Sequence, residues 1–65
     1  MTAIARQRLK SGLTQEYVAY KLGIDRSTVA KWETGVSLPR PAMLMRIASL
    51  YNCKIDDLLR EEESA

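Results

Sequence analysis

Sixty-five residues, 46% of them hydrophobic and 28% charged with a net charge of +2, describe one small globular domain rather than a disordered tail. A core of this size is marginal for a lone domain, so oligomerisation would add to its stability. A single cysteine and no histidine exclude an internal disulfide and a histidine-containing zinc site, and the short apolar runs cannot span a bilayer.

The charge is unevenly placed. Residues 1–40 hold seven Lys/Arg against three Asp/Glu, whereas residues 41–65 hold three against five. The basic half therefore suits a polyanionic partner at one face.

Met1 to Ser11 reads as the first helix, with Ile4, Ala5 and Leu9 as its apolar stripe and Gly12 as its terminator. Arg8 lies close to that stripe, which predicts a partly buried guanidinium. The second helix runs Gln15 to Leu22. Thr14 is its expected cap, and Leu13 and Val18 flank the cap as a hydrophobic staple. Gly23 suits the left-handed residue that ends a helix. Asp25 is the expected cap of a third helix, Arg26 to Thr34, with Ile24 and Val29 as its staple. Two capped helices joined by a tight glycine turn make a helix-turn-helix, a unit that lays its second helix in the major groove of DNA.

Val36-Ser37-Leu38-Pro39-Arg40-Pro41 cannot be helix interior, but Pro41 fits the first position of a fourth helix covering Ala42 to Tyr51. Arg40 then falls at the capping position, where it is a poor cap. Leu44, Ile47, Ala48 and Tyr51 are expected to face inward, and Asn52 to end the helix. Ile55 to Leu59 forms a short fifth helix expected to bury Ile55, Leu58 and Leu59, with Asp56 and Asp57 favoured in its first turn. Cys53 is expected to be a small core residue. No strand pattern and no internal repeat is present. The domain is expected over residues 1–60, followed by a fraying polar tail, 61–65. No secretory leader opens the chain and no further domain is expected after it, so the cytoplasm is the expected compartment.

These pieces together resemble the Cro/phage-repressor type of helix-turn-helix, the XRE family. The resemblance rests on Gly12-Leu13-Thr14-Gln15, on Ala19 with Gly23 and Val29, on Trp32-Glu33-Thr34-Gly35, and on Ile47-Ala48 with Ile55-Asp56-Asp57-Leu58-Leu59. It covers roughly residues 2–60. It implies an all-α, five-helix, lambda-repressor-like domain that binds double-stranded operator DNA as a homodimer. Arg40 and Lys54 depart from the pattern, standing where the family has a Ser-like cap.

The resemblance also implies roles for named residues. Gln15 and Thr14, with Thr34, are the expected phosphate contacts; Arg26, Ser27, Thr28 and Lys31 are the expected base contacts. Ser27 and Lys31 are one turn apart, opposite Val29 and Trp32, and Arg and Lys suit the O6 and N7 acceptors of guanine. Trp32 reads as core rather than as a base-stacking platform. Arg8 and Glu33 are expected to form a structural ion pair between the first and third helices. A two-fold dimer is expected through Tyr51, Asn52, Leu58 and Leu59. The expected function is sequence-specific transcriptional regulation, as a repressor. The alternative is an antitoxin-like or protein-interaction module on the same fold, which fold alone does not separate. No metal or cofactor is expected, and no nucleophile is paired with a base, so an enzyme is not expected.

Overall fold

Helix boundaries fall where a residue can satisfy or release the terminal backbone groups. The computed structural model describes residues 1–60, which form α1 (Ala3–Lys10), α2 (Gln15–Leu22), α3 (Arg26–Thr34), α4 (Pro41–Tyr51) and α5 (Ile55–Leu59), with no strand among them. The tail expected at 61–65 lies outside the described residues.

α1 is shorter than expected, because Thr2 caps it: the Thr2 hydroxyl accepts from the Ala5 amide at 3.2 Å. Thr14 caps α2 in the same way, accepting from the Tyr17 amide at 3.0 Å. α3 corrects an expectation. Asp25 has the extended backbone of a cap, and its carbonyl accepts from Thr28 at 3.0 Å, but its carboxylate makes no capping bond. The carboxylate is exposed, and there water replaces an amide donor at little net cost. Arg40 has no side-chain acceptor and makes no capping bond to α4. At α5 the closure comes from the other end, where the Lys54 amide donates to Asp57 Oδ2 at 3.0 Å. Gly23 at φ 71° ends α2 and sets up the turn into α3, a conformation that costs a residue with a Cβ.

The helices pack as α2 on α3, α1 on α5 and α3, and α4 on α5 and α2. Ile4, Val18, Ala19, Leu22, Val29, Trp32, Ile47, Ala48, Tyr51 and Leu58 fill the space between them. Leu13 and Ile24, the two staple residues, pack against that core while their partners Val18 and Val29 are fully buried. Cys53 and Leu44 are partly buried at its edge.

Three apolar expectations fail, for geometric reasons. Leu9 is 52% exposed, because five residues on from Ile4 is about 140° around a helix. Ile55 and Leu59 are exposed as well, sharing one side of a helix only five residues long; Leu58, about 60° from Ile55 and 100° from Leu59, takes the inward place. Tyr51 and Leu58 are both 3% exposed within the chain, so they are core and do not form an outward-facing dimer surface; Asn52 and Leu59 of that expected set are exposed.

The Tyr51 hydroxyl is buried and has no hydrogen-bond partner among the described residues. Burial, with the Glu33 charge adding to it, pushes its pKa up to about 12. Folding thus favours the neutral phenol, and this contribution is fully present below the unfolded value near 10 and lost as pH rises through the folded one. The Tyr51→Phe protein should be no less stable than the parent at neutral pH, within about 1 kcal/mol. It should also lose less stability than the parent between pH 10 and 12. Urea unfolding of both proteins across that range checks it; a parent curve no steeper than that of Tyr51→Phe contradicts it.

Candidate nucleic-acid interface

α3 is two-sided because its sequence is. Val29 and Trp32 lie inward at 0% and 6% exposure, which leaves Trp32 as core and unavailable for stacking on a base. Ser27, Lys31 and Thr34 follow at i, i+4 and i+7 and are all exposed, as is Arg26. Thr28 is half-buried, so of the four residues expected to read bases it offers the least surface. Ser27, Lys31 and Thr34 thus share the outward side of a nine-residue helix, and Arg26, about 140° around from Lys31, adds a second exposed cation at its first position.

The residues expected near phosphate sit in different surroundings. Thr14 is exposed at the start of α2; its oxygen serves as the cap, which leaves its hydroxyl proton free to donate outward. The Thr34 hydroxyl donates to the Ala30 carbonyl at 3.1 Å, with the Lys31 carbonyl at 3.3 Å. Gln15 is half-buried, and its Nε2 donates to Glu33 Oε1 at 3.0 Å.

Glu33 is the meeting point of three helices. Arg8 on α1 reaches it with Nε to Oε2 at 2.5 Å and Nη2 to Oε1 at 3.1 Å, and the two side chains are 12% and 7% exposed. The remaining Arg8 nitrogen, Nη1, donates to the Leu13 carbonyl at 2.6 Å, immediately before the α2 cap. The Thr2 hydroxyl donates to the Glu33 carbonyl at 2.9 Å. Hydrogen bonding to Glu33 raises the Arg8 pKa above its ordinary value, outweighing the burial that opposes it. Both carboxylate oxygens are therefore satisfied, and the charge that would repel a polyanion is matched by a fixed guanidinium. The Gln15 and Leu13 connections escape sequence reasoning, because no helical or turn spacing links positions 18 and 5 residues away in separate elements. The one general signal is that a carboxylate only accepts hydrogen bonds, so a partly buried glutamate calls for several donors without naming them.

Among the described residues no group of acidic, cysteine or histidine side chains could hold a metal ion, and no helix is long and apolar enough to cross a membrane.

The helix-turn-helix family model matches residues 4–58. The chain is 39% identical over 59 residues to the "HTH-type transcriptional activator BcrR" of Enterococcus faecalis, covering 88% of this chain and 29% of that protein. It is 39% identical over 57 residues to an uncharacterized HTH-type transcriptional regulator of Archaeoglobus fulgidus, covering 88% of this chain and 81% of the other. A regulator of the same description from Methanocaldococcus jannaschii is 36% identical over 56 residues, covering 86% and 85%. The chain thus spans less than a third of the Enterococcus protein and most of the archaeal ones. No solved structure matches it.

The partly buried Arg8–Glu33 pair makes a specific demand on stability. Removing one partner leaves a charge uncompensated, so Arg8→Met alone should cost about 1–3 kcal/mol, and Glu33→Gln should behave similarly. The double variant, which removes both charges, should recover a substantial part of that loss. A double-mutant cycle by urea unfolding measures it; additive single losses would show that the two charges do not act as a pair.

Proposed function

Because the chain belongs to the XRE-type helix-turn-helix family of DNA-binding transcriptional regulators, we propose that it reads a specific double-stranded operator with the outward side of α3. The observation that carries this reading is the division of α3 into a buried Val29/Trp32 side and an exposed side bearing Ser27 and Lys31, with Arg26 exposed at the start of the helix. Arg26 and Lys31 match guanine O6 and N7, and Ser27 serves several bases; Thr28, half-buried, contributes at the edge. Thr14 and Gln15 hold the backbone, each with a proton to give to a phosphate oxygen. Thr34 joins them only by turning its hydroxyl off the Ala30 carbonyl. The domain responsible is residues 1–60.

Repression by occupying a promoter needs nothing beyond this face, and we assign the chain that mode. The Enterococcus relative is named an activator. A reporter downstream of the selected operator decides, since occupancy alone lowers its output.

One recognition helix contacts too few base pairs to single out a site in a genome, so the reading includes a two-fold dimer. With Tyr51 and Leu58 committed to the core, the large apolar groups left exposed among the described residues of α4 and α5 are Met45, Ile55 and Leu59, the last two together on α5. Replacing Leu59 with Asp should leave the fold intact and abolish the dimer, and half-sites should lie about 34 Å apart. Sedimentation at micromolar protein, with and without operator, checks it; a one-to-one complex on DNA contradicts it.

Reading and holding separate by mutation. Arg26→Ala or Lys31→Ala should cost about 1–3 kcal/mol on the best operator and relax the preference at one or two positions. Gln15→Ala should weaken binding to every duplex and leave the preferred sequence unchanged, with little effect on the salt slope, because a neutral donor releases no counterion. Binding-site selection from randomised duplex DNA, repeated with each variant, tests the assignment. A motif altered by Gln15→Ala but not by the α3 variants reverses it. Failure of the parent protein to shift any duplex at low salt instead supports the protein-interaction alternative.

A further inference from the structure

We propose that Glu33 is a positioning residue for DNA binding, acting through Gln15: its carboxylate fixes which way the Gln15 amide faces and so presents a donor, rather than an acceptor, to the nucleic acid. This rests on the reading of Gln15 as a backbone contact and deepens it.

A carboxylate only accepts hydrogen bonds, and so does a phosphate oxygen. Gln15 stands at the first position of α2, with Nε2 3.0 Å from Glu33 Oε1. An amide offers a two-proton nitrogen on one side and a carbonyl oxygen on the other. Turning it over would place its oxygen against Glu33 Oε1, two acceptors in contact with no proton between them. Glu33 therefore locks the nitrogen in place. One N–H is spent on Glu33, and the second, on the same atom, remains for a phosphate oxygen. An amide free to turn would present its oxygen to the phosphate part of the time, and ordering it on binding would cost side-chain entropy.

Glu33 can hold this post only because Arg8 holds it. Nε and Nη2 of Arg8 take both carboxylate oxygens, and Nη1 ties the same guanidinium to the Leu13 carbonyl beside the α2 cap. The carboxylate cannot swing away from Gln15 without leaving Arg8 unpaired at 12% exposure. Its charge, which alone would repel a phosphate, is matched by the guanidinium. The pair that ties α1 to α3 thus also sets a donor on α2.

The test is a double-mutant cycle read as affinity for duplex DNA of about 20 base pairs, two helical turns, at protein concentrations corrected for folded fraction. The four proteins are the parent, Gln15→Ala, Glu33→Gln and the double variant. Glu33→Gln frees the Arg8 charge equally in both Gln15 backgrounds, so that effect cancels in the cycle. Glu33→Gln should weaken binding about 5- to 10-fold relative to the same change made without Gln15, the size of one oriented hydrogen bond. Glu33→Asp gives a second route that keeps the charge for Arg8 but draws the carboxylate back from Gln15, and it should show the same dependence. In the free protein, solvent exchange of the Gln15 side-chain amide should be slowed in the parent and fast in both Glu33 variants. Equal losses with and without Gln15, or amide exchange indifferent to Glu33, overturn the proposal while leaving the DNA-binding reading in place. A parent protein that binds no duplex removes both.

Discussion

A glutamate whose side chain is 7% exposed, on the last turn of the helix proposed to face DNA, has to be neutralised from within the chain. Arg8 does this, and the arrangement of the first three helices follows from how it does so. A guanidinium has five donors in one plane, and here three nitrogens reach two partners: both Glu33 oxygens and the Leu13 carbonyl. α1 is thereby fastened to the end of α3 and to the residue before the α2 cap in a single plane. A lysine could supply the charge but not the fork. Buried ion pairs are uncertain sources of net stability, because desolvation offsets much of the attraction. Their value here is in specifying position: the pair has one geometry that satisfies every atom.

The apolar core does the complementary part. Val18, Val29 and Ile47 are fully buried, one from each of α2, α3 and α4, and Ile4 of α1 and Trp32 of α3 belong to the same buried cluster. The turn at Gly23 sets the angle between α2 and α3, and Ile24 and Leu13 pin the two helix starts onto the core. With Val29 and Trp32 directed inward, 100° geometry leaves Ser27, Lys31 and Thr34 outward without any further device. Burial on one side of α3 is thus what creates a polar, cationic surface on the other. The proposed DNA-reading face rests on that division, and Glu33 joins α1 through Arg8 and α2 through Gln15 to the same helix.

Much of this was legible in the residues. Thr14, Gly23 and Pro41 each announce a boundary through local chemistry that no neighbour overrides: α2 begins after Thr14 and ends before Gly23, and α4 begins at Pro41. Trp32 as core and the outward Ser27/Lys31 stripe follow from periodicity alone. Periodicity gave less where an element is short or its stripe is stretched: Leu9 lies too far around α1, and a single turn of α5 cannot bury Ile55, Leu58 and Leu59 together. Asp25 has the capping residue type and the capping backbone, yet its exposed carboxylate makes no capping bond. The Gln15–Glu33 bond and the unpartnered Tyr51 hydroxyl depend on side chains converging from separate helices, which is information that only the packed chain contains.

Which surface meets DNA decides the roles proposed for α2 and α3. Backbone amide chemical shifts followed while a selected operator duplex is titrated into the labelled protein measure this residue by residue. The largest changes should fall on Thr14 to Tyr17 and on Arg26 to Lys31, with Leu9 and Cys53 unmoved by direct contact. Changes concentrated along Lys21, Met45 and Arg46 on the α2/α4 side, with the outward stripe of α3 unaffected, would contradict those roles.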